Sequence, residues 1–303
     1  MPDRKAPPIL IVGGNSTIGT AVAAHLRQGG QSVLTTSRSA GAADLFLDLA
    51  TPPDPALVAS WPPLRAAVLC ASVTTEAACR DNPDRARRVN VDHTIALARQ
   101  LRLPGTFVLF LSSNLVFDGI IADTAPNTPC HPQTIYGAHK AAAEAGLLPL
   151  GAAILRLSKV LGPSHPLFAG WRRALDAGQT INAADNLRLA PVAITQAVAA
   201  IAALLDSQSP GIHQLSGDRD LSYAQAATIL ADRCGVSRGR IQPAALPLAA
   251  AAPHHTTMAL DPGLRDLGFV RPSWVTVLDA VEDFTTSVIA APAVPQTASG
   301  GVN

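Results

Sequence analysis

The chain has 303 residues, a formal net charge of +1 and 48% hydrophobic residues, so it can bury a sizeable core in one large domain or two modest ones. The near-neutral charge and the lack of a basic run with interleaved aromatic residues argue against a nucleic-acid or acidic-membrane partner. The four cysteines form no CxxC pair, which argues against a disulfide framework or a zinc site. The first apolar run, at residues 9–12, is too short for a signal peptide, and no apolar stretch has the length of a membrane span. We therefore expect a cytoplasmic protein.

Apolar runs alternate with helical spacing along the first half of the chain. The run at 9–12 predicts a buried strand, and residues 18–28 predict a helix that Gly29 and Gly30 end. Strands alternating with helices imply parallel crossovers, so the sequence predicts an α/β fold with a doubly wound parallel (Rossmann) sheet. The further predicted strands are 33–36, 67–71, 106–111 and 152–157, and the further predicted helices are 84–101 and 135–148.

The pattern loosens after Gly162 and Pro163, where the sequence predicts an extended segment at 186–192 and helices at 168–177, 194–205, 222–234 and 274–284. We predict that residues 1–162, together with about 187–207, form a nucleotide-binding domain. Residues 163–186 and 208–285 are predicted to form a smaller C-terminal α/β domain for substrate. Residues 286–303 are small, polar or proline, and are predicted to be a disordered tail.

A glycine-rich turn, GGNSTIG, follows the first strand and opens the first helix. Gly13 and Gly19 stand six residues apart, which allows a tight turn and the close approach of a pyrophosphate to the backbone. The helix N-terminus offers free N–H groups and a positive dipole end to phosphate. Ser16 stands where a middle glycine is common; a serine still places its backbone there, and its hydroxyl is a candidate donor to phosphate. The alternative is a plain strand–turn–helix connection.

The second strand ends at Thr36-Ser37-Arg38, where an NAD-selective site would have an acid for the ribose hydroxyls. A guanidinium grips a 2′-phosphate with paired hydrogen bonds, so Arg38 favours NADP(H) over NAD(H). Asp48 is a candidate contact for the adenine, although a loop acid or helix cap explains it nearly as well. The predicted cofactor-binding residues are Gly13, Asn15, Ser16, Thr17, Ile18, Gly19, Ser37, Arg38, Asp48, Leu49, Ala71, Ser72, Ser112, Tyr136 and Lys140.

Tyr136 and Lys140 are one helical turn apart in YGAHK, which puts a phenol and an ammonium on one helix face. A nearby ammonium stabilises phenolate, so we expect Lys140 to lower the pKa of Tyr136 and make it a proton-transfer group for a carbonyl or alcohol. Ser112 and Ser113 end the strand TFVLFL at the edge that faces the ligand crevice. Asn90 stands inside a helix, an odd place for this residue unless its side chain has a specific partner.

Together these segments resemble the extended short-chain dehydrogenase/reductases, and within them the dTDP-4-dehydrorhamnose reductase group of sugar-nucleotide reductases. The resemblance covers residues 8–285 and rests on GGNSTIG, CASVTTEAACRDNPDRARRVNVDHT, SSNLVFDG, YGAHKAAAE, AILRLSKVLGP, RLAPV and GIHQLSGDRDLS in that order. The resemblance implies a catalytic set of Ser113, Tyr136, Lys140 and Asn90. Ser113 would orient a carbonyl, Tyr136 would protonate its oxygen and Lys140 would hold the nicotinamide ribose.

The departures from this group concentrate where substrate is expected. Asn114 and Leu115 replace an acidic and an aromatic residue, Lys159 replaces a common tryptophan, and Arg188 is a candidate diphosphate contact; Asn114, Lys159 and Arg188 are the predicted substrate residues. The pair at 114–115 also argues against a 4,6-dehydratase, which needs an acid there. His254 and His255 have no third ligand at useful spacing, so no metal site is predicted.

The leading hypothesis is NADPH-dependent reduction of a carbonyl in a nucleotide-linked keto-deoxysugar or similar polar ketone. One alternative is an NAD(P)-dependent sugar-nucleotide 4-epimerase. Another is a cofactor-binding regulatory subunit without catalysis, since the regulatory subunit of methionine adenosyltransferase resembles the same group. Members of the group often pair as homodimers, and no segment of this sequence decides whether this chain does.

Overall fold

The computed structural model describes residues 6–39, 41–102, 104–162, 165–246 and 253–289. The strands are β1 (Ile9–Val12), β2 (Val33–Ser37), β3 (Leu45–Phe46), β4 (Ala66–Leu69), β5 (Phe107–Ser113), β6 (Ala153–Leu157), β7 (Val160–Leu161), β8 (Ile181–Ala184), β9 (Arg188–Leu189), β10 (Val192–Ala193), β11 (Gly211–Leu215), β12 (Leu221–Ser222) and β13 (Ile241–Ala244). The helices are α1 (Thr17–Gln28), α2 (Pro55–Ala59), α3 (Glu76–Asp81), α4 (Pro83–Arg87), α5 (His93–Arg102), α6 (Ile135–Leu147), α7 (Pro166–Asp176), α8 (Ile194–Ser207), α9 (Tyr223–Arg233), α10 (Pro262–Asp266) and α11 (Trp274–Ile289). A π-helical turn, Arg88–Asp92, joins α4 to α5.

Seven parallel strands form the central sheet in the order β11-β6-β5-β4-β1-β2-β3. The chain builds outward from β1 through β2 to β3, then returns to β4 on the other side of β1 and continues outward to β6. The strand order therefore reverses between β1 and β4, and the crevice at their carboxyl ends is where such sheets bind ligands. The predicted doubly wound fold is confirmed.

Both faces of the sheet are covered, which is why its strands are apolar throughout. Ile9 and Ile11 of β1 pack in one cluster with α1 and α8, while Leu10 and Val12 pack on the opposite face with α5 and α6. Successive side chains of a strand point to opposite faces, so a run of four apolar residues fills both cores. The sheet is thereby held rigid under the crevice.

A third apolar cluster lies among α7, β8, α9, β13 and α11. Phe168 is at its centre, with ring centroids 5.1 Å from Trp171 in an edge-to-face arrangement and 5.6 Å from Trp274. Aromatic pairs of this kind add to the burial of their area. The chain thus has a smaller C-terminal unit next to the Rossmann sheet.

Three predicted boundaries differ from the structure. Residues 211–215, predicted in the substrate domain, form β11 at the edge of the central sheet. The predicted helix 84–101 is divided by the π-helical turn. Helix α11 extends to Ile289, past the predicted start of the tail at 286, and the rest of that tail lies outside the described residues. Within the described part of the chain, no helix has the length and apolar character to cross a membrane.

Candidate active site

The glycine turn after β1 is fixed by its own backbone. Gly13 has a φ of +82°, and a Cβ on it would lie 2.9 Å from the Cα of Ala71, so a side chain fits neither the conformation nor the space. A Cβ on Gly19 would lie 2.3 Å from the carbonyl oxygen of Gly13. The two glycines therefore let the first turn of α1 pack directly on the loop, which leaves the helix N-terminus facing the crevice.

Ser16 is the N-cap of α1 rather than a free phosphate donor. Its Oγ accepts from the Gly19 amide at 3.1 Å and donates to the Gly13 carbonyl at 2.8 Å. Because the hydroxyl proton is used within the turn, the expectation that it donates to phosphate is wrong for this geometry. The residue stabilises the turn that presents the backbone amides.

At the end of β2 the chain presents a cation and no acid. Arg38 is exposed and lines the same cavity as the glycine turn, and Ser37 next to it is buried, with its Oγ accepting from the Ser39 amide at 3.0 Å. Asp48, after β3, also lines the cavity, and its Oδ1 accepts from the Ala50 amide at 2.9 Å. The turn hydrogen bond uses one carboxylate oxygen of Asp48 and leaves the other uncommitted.

Asn90 is fully buried in the π-helical turn and braces the loop that follows β4. Its Oδ1 accepts from the Val73 amide at 2.7 Å and from the Ser72 hydroxyl at 2.9 Å, and its Nδ2 donates to the Val73 carbonyl at 2.9 Å. Nδ2 also lies 3.3 Å from Nδ1 of His139. The amide therefore holds the backbone of a loop that lines the crevice and connects it to α6, the helix of Tyr136.

Lys140 is buried and its ammonium is anchored. Nζ donates to the Leu111 carbonyl at 2.7 Å and lies 4.3 Å from the centroid of the Phe110 ring and 5.6 Å from that of Tyr136. Burial lowers the pKa of Lys140 to about 8, against the opposing effect of Cys70 and Glu144. The ammonium thus sits at the carboxyl end of β5, beside the phenol.

The phenol of Tyr136 is protonated at neutral pH. Burial raises the pKa of Tyr136 to about 12, and a hydrogen bond with Ser72 only partly offsets it. The net shift is therefore opposite to the lowering expected from Lys140, because desolvation of the phenolate dominates. Glu76 of α3 receives the Ile135 amide at 3.2 Å and the Tyr136 amide at 3.4 Å, which fixes the first turn of α6.

Ser112 and Ser113 end β5 in different roles. Ser112 donates to Oε1 of Glu144 at 2.5 Å, and this carboxylate forms a buried ion pair with Arg156, whose Nη2 lies 2.6 Å from Oε2. Ser113 lines the cavity, and its Oγ receives the Leu115 amide at 3.2 Å. The ion pair joins α6 to β6, and it therefore fixes the position of the helix that carries Tyr136 relative to Ser113.

One cavity of about 990 Å³ connects the glycine turn with the Tyr136 helix. Four predicted residues do not line it: Gly19 and Asn90 lie behind its wall, Asn114 begins a 3-10 turn (Asn114–Val116), and Arg188 is exposed on β9. The predicted residues that do line it are Gly13, Asn15, Ser16, Thr17, Ile18, Ser37, Arg38, Asp48, Leu49, Ala71, Ser72, Ser112, Ser113, Tyr136, Lys140 and Lys159.

Sequence reasoning missed a second group of lining residues, mainly from the loop after β4 and the segment between β6 and α7. Thr74 and Thr75 come from the first of these and Ser158 and His165 from the second, while Arg85 belongs to α4. Both segments follow a strand of the central sheet, and ligands bind beyond the carboxyl ends of such strands, so these lining residues could have been predicted from the sequence. Among the described residues there is no group of three or more His, Cys, Asp and Glu residues arranged to hold a metal ion.

Known proteins resemble this chain in sequence and in fold. Residues 7–286 match the family model described as the RmlD substrate binding domain. A curated relative, the methionine adenosyltransferase 2 subunit beta of Bos taurus, is 26% identical over 188 residues, which are 58% of this chain and 56% of that protein. The match therefore spans little more than half the length of that relative.

Two solved structures have the same fold. One is a dTDP-4-dehydrorhamnose reductase of Bacillus anthracis in complex with NADP, with a TM-score of 0.79 and 20% identity over 93% of this chain and 98% of that one. The other is a UDP-glucose 4-epimerase of Thermotoga maritima with UDP-glucose, with a TM-score of 0.78 and 17% identity over 93% of this chain and 99% of that one. These similarities establish the architecture.

Proposed function

Because the chain belongs to the RmlD substrate-binding-domain family, we propose that it is an NADPH-dependent reductase of a carbonyl in a nucleotide-linked keto-deoxysugar or a similarly polar ketone. The observation that carries this proposal is that Ser113, Tyr136 and Lys140 line the same cavity as the glycine turn. A binding module would not require these three groups together. The similarity to an NADP-bound dTDP-4-dehydrorhamnose reductase supports the same substrate class.

The residues around the turn fit a dinucleotide. Side chains on Gly13 and Gly19 would collide with Ala71 and with the Gly13 carbonyl, so the two glycines keep the turn tight enough for a pyrophosphate to approach the backbone and the N-terminus of α1. Arg38 stands at the end of β2 to pair with a 2′-phosphate, which favours NADP(H). When bound, NADPH supplies the hydride for the reduction.

The protein groups supply the rest of the chemistry. Ser113 donates a hydrogen bond to the substrate carbonyl oxygen and stabilises the negative charge that grows there. Tyr136, protonated because of its raised pKa, gives its proton to that oxygen. Lys140 holds a positive charge beside the phenol, and this charge eases the loss of the proton at the moment of transfer. The ordering contacts of Asn90 and Glu76 keep Ser72 and Tyr136 in place.

Two other functions remain candidates, each supported by one similarity. The epimerase fold match supports a 4-epimerase, which recycles its cofactor, and the methionine adenosyltransferase relative supports a regulatory subunit.

The three functions separate in one experiment. We incubate the purified protein with stoichiometric NADPH and a panel of nucleotide-linked 4-keto sugars, and follow NADPH absorbance and the products by mass spectrometry. A reductase consumes one NADPH for each product that is two mass units heavier. An epimerase instead inverts C4 of a 4-hydroxy nucleotide sugar such as UDP-glucose, offered with NADP⁺ in a parallel reaction, without net formation of NADPH. NADPH binding with neither change supports the regulatory role and contradicts the proposal.

A further inference from the structure

The wall of the cavity beside the proposed active site carries an uncompensated cation. Lys159 follows β6, its side chain is exposed and it lines the cavity together with Ser158 and His165. Its ammonium lies 5.9 Å from the centroid of the Tyr223 ring. Asp48 is the one carboxylate among the described residues that line this cavity. It follows β3, five strand spacings from β6, which amounts to about 24 Å across the sheet.

The backbone at Lys159 is fixed although the side chain is exposed. Its carbonyl accepts from the Val192 amide at 3.0 Å, and Ser158 before it donates its hydroxyl to the Ala190 carbonyl at 2.5 Å. The point at which the Lys159 side chain leaves the backbone is therefore fixed by the fold at the cavity wall. Helix α7 adds to the local positive potential, because His165, its N-cap, lines the same wall and no acid occupies its first turn.

The register of the sheet gives the distance from Lys159 to the reacting group. Ser113 pairs with Leu157, so Lys159 lies one strand across, about 4.8 Å, and two residues further along, about 7 Å, which together separate its Cα from that of Ser113 by about 8 Å. A lysine side chain of about 6 Å covers most of this interval, so the ammonium can reach a group attached next to the carbonyl that Ser113 holds. In such a substrate, the diphosphate would be attached to the sugar ring on the side away from the substituent that Lys159 reaches.

We propose that Lys159 is a specificity-determining residue that binds a carboxylate on the sugar of the substrate, so that the substrates of this protein are acidic keto-sugar nucleotides. This inference rests on the proposed function and specifies the class of substrate for it. A charge-assisted hydrogen bond between ammonium and carboxylate gives the cation a partner that the protein itself does not provide.

The test uses three probes on the intact protein saturated with NADP⁺: UDP-glucuronate, UDP-glucose and UDP, titrated by calorimetry. The first two differ only in a carboxylate against a hydroxymethyl group. We expect wild type to bind UDP-glucuronate about tenfold more tightly than UDP-glucose. Lys159→Met should remove this difference, and Lys159→Arg should keep most of it. Arg99→Met, which removes one exposed positive charge from α5 away from the cavity, is the matched control and should change nothing.

Three outcomes would overturn the inference. The first is equal affinity of wild type for the two sugars, and the second is binding of neither. The third is an equal loss of affinity for all three probes in Lys159→Met, since that result would assign Lys159 to the diphosphate. Failure of the proposed function is visible separately, as a lack of NADPH binding or of NADPH consumption with every keto sugar.

Discussion

The buried ammonium of Lys140 should make the stability of this protein depend on pH in a predictable way. The side chain is 3% exposed and its pKa falls from 10.5 to about 8, because burial penalises the charged form. The unfolded chain therefore binds more protons than the folded chain between pH 8 and pH 10.5. Stability rises with pH wherever the unfolded state binds more protons, so the contribution of this group improves from pH 7 to pH 10.

The magnitude follows from these two pKa values. One pKa unit corresponds to about 1.4 kcal/mol, so folding with a charged Lys140 costs about 3 kcal/mol at pH 7 and about 1 kcal/mol at pH 10. We compare wild type with Lys140→Met. The variant also loses the hydrogen bond to the Leu111 carbonyl, but this loss is the same at every pH. The free energy of unfolding of wild type relative to the variant should thus increase by about 2.5 kcal/mol between pH 7 and pH 10.

Urea denaturation followed by circular dichroism, at intervals of half a pH unit, measures this difference. All other titrating groups are common to the two proteins, so their effects cancel. Lys159→Met is the control, because its exposed side chain should give a curve parallel to that of wild type. A constant difference between wild type and Lys140→Met across this pH range would refute the reasoning, since it would mean that Lys140 titrates alike in the folded and unfolded states.

Three further substitutions test separate parts of the site. Arg38→Ala should weaken NADPH binding about tenfold in calorimetry and leave NADH binding unchanged; an equal loss for both would remove Arg38 from 2′-phosphate recognition. Asn90→Ala should lower the free energy of unfolding by about 2 kcal/mol or more in urea, because buried donors lose their acceptor. Asn82→Ala at an exposed helix cap should cost about 1 kcal/mol, and an equal loss in the two variants would contradict the bracing role. Glu144→Ala should lower the free energy of unfolding by about 3–5 kcal/mol, because it leaves the Arg156 guanidinium buried without its carboxylate; unchanged stability would contradict this account.

Local patterns in the sequence predicted most of the framework. The four-residue apolar run of β1 has the predicted bounds, and the predicted start of α1 lies within one residue of the observed one. The strand-end rule predicts from the sequence alone that Ser113 and the glycine turn lie at one crevice. These features depend on residues close together in the chain, which is why a single sequence is enough to find them.

Contacts between distant segments were not predictable in the same way. β11 contains His213 and Gln214; the Asp261 carboxylate lies 2.9 Å from Nδ1 of His213 and accepts from the Gln214 backbone amide, and it stands 48 and 47 residues further along the chain. Arg156 interrupts the apolar pattern of β6 and is tolerated because Glu144 on α6 pairs with it. No local pattern reveals either partner, so the prediction from the sequence did not include β11 in the sheet.

The raised pKa of Tyr136 also depends on contacts between segments that are far apart in the sequence. The sequence spacing puts Lys140 next to the phenol, and from that proximity alone a lowered pKa follows. The burial of Tyr136 arises from α3, the loop after β4 and the wall of the cavity together, and it dominates. Spacing therefore identified the two residues but not the balance between charge and desolvation.

The most direct test of the central claim is a single-turnover measurement with wild type and Tyr136→Phe. Each enzyme is loaded with NADPH and mixed in a stopped-flow instrument with the most active keto sugar of the panel, and the decay of NADPH is followed. The account predicts an unchanged dissociation constant for NADPH and a turnover rate at least a hundredfold lower in the variant, because the carbonyl oxygen loses its proton donor. An unchanged rate would contradict it.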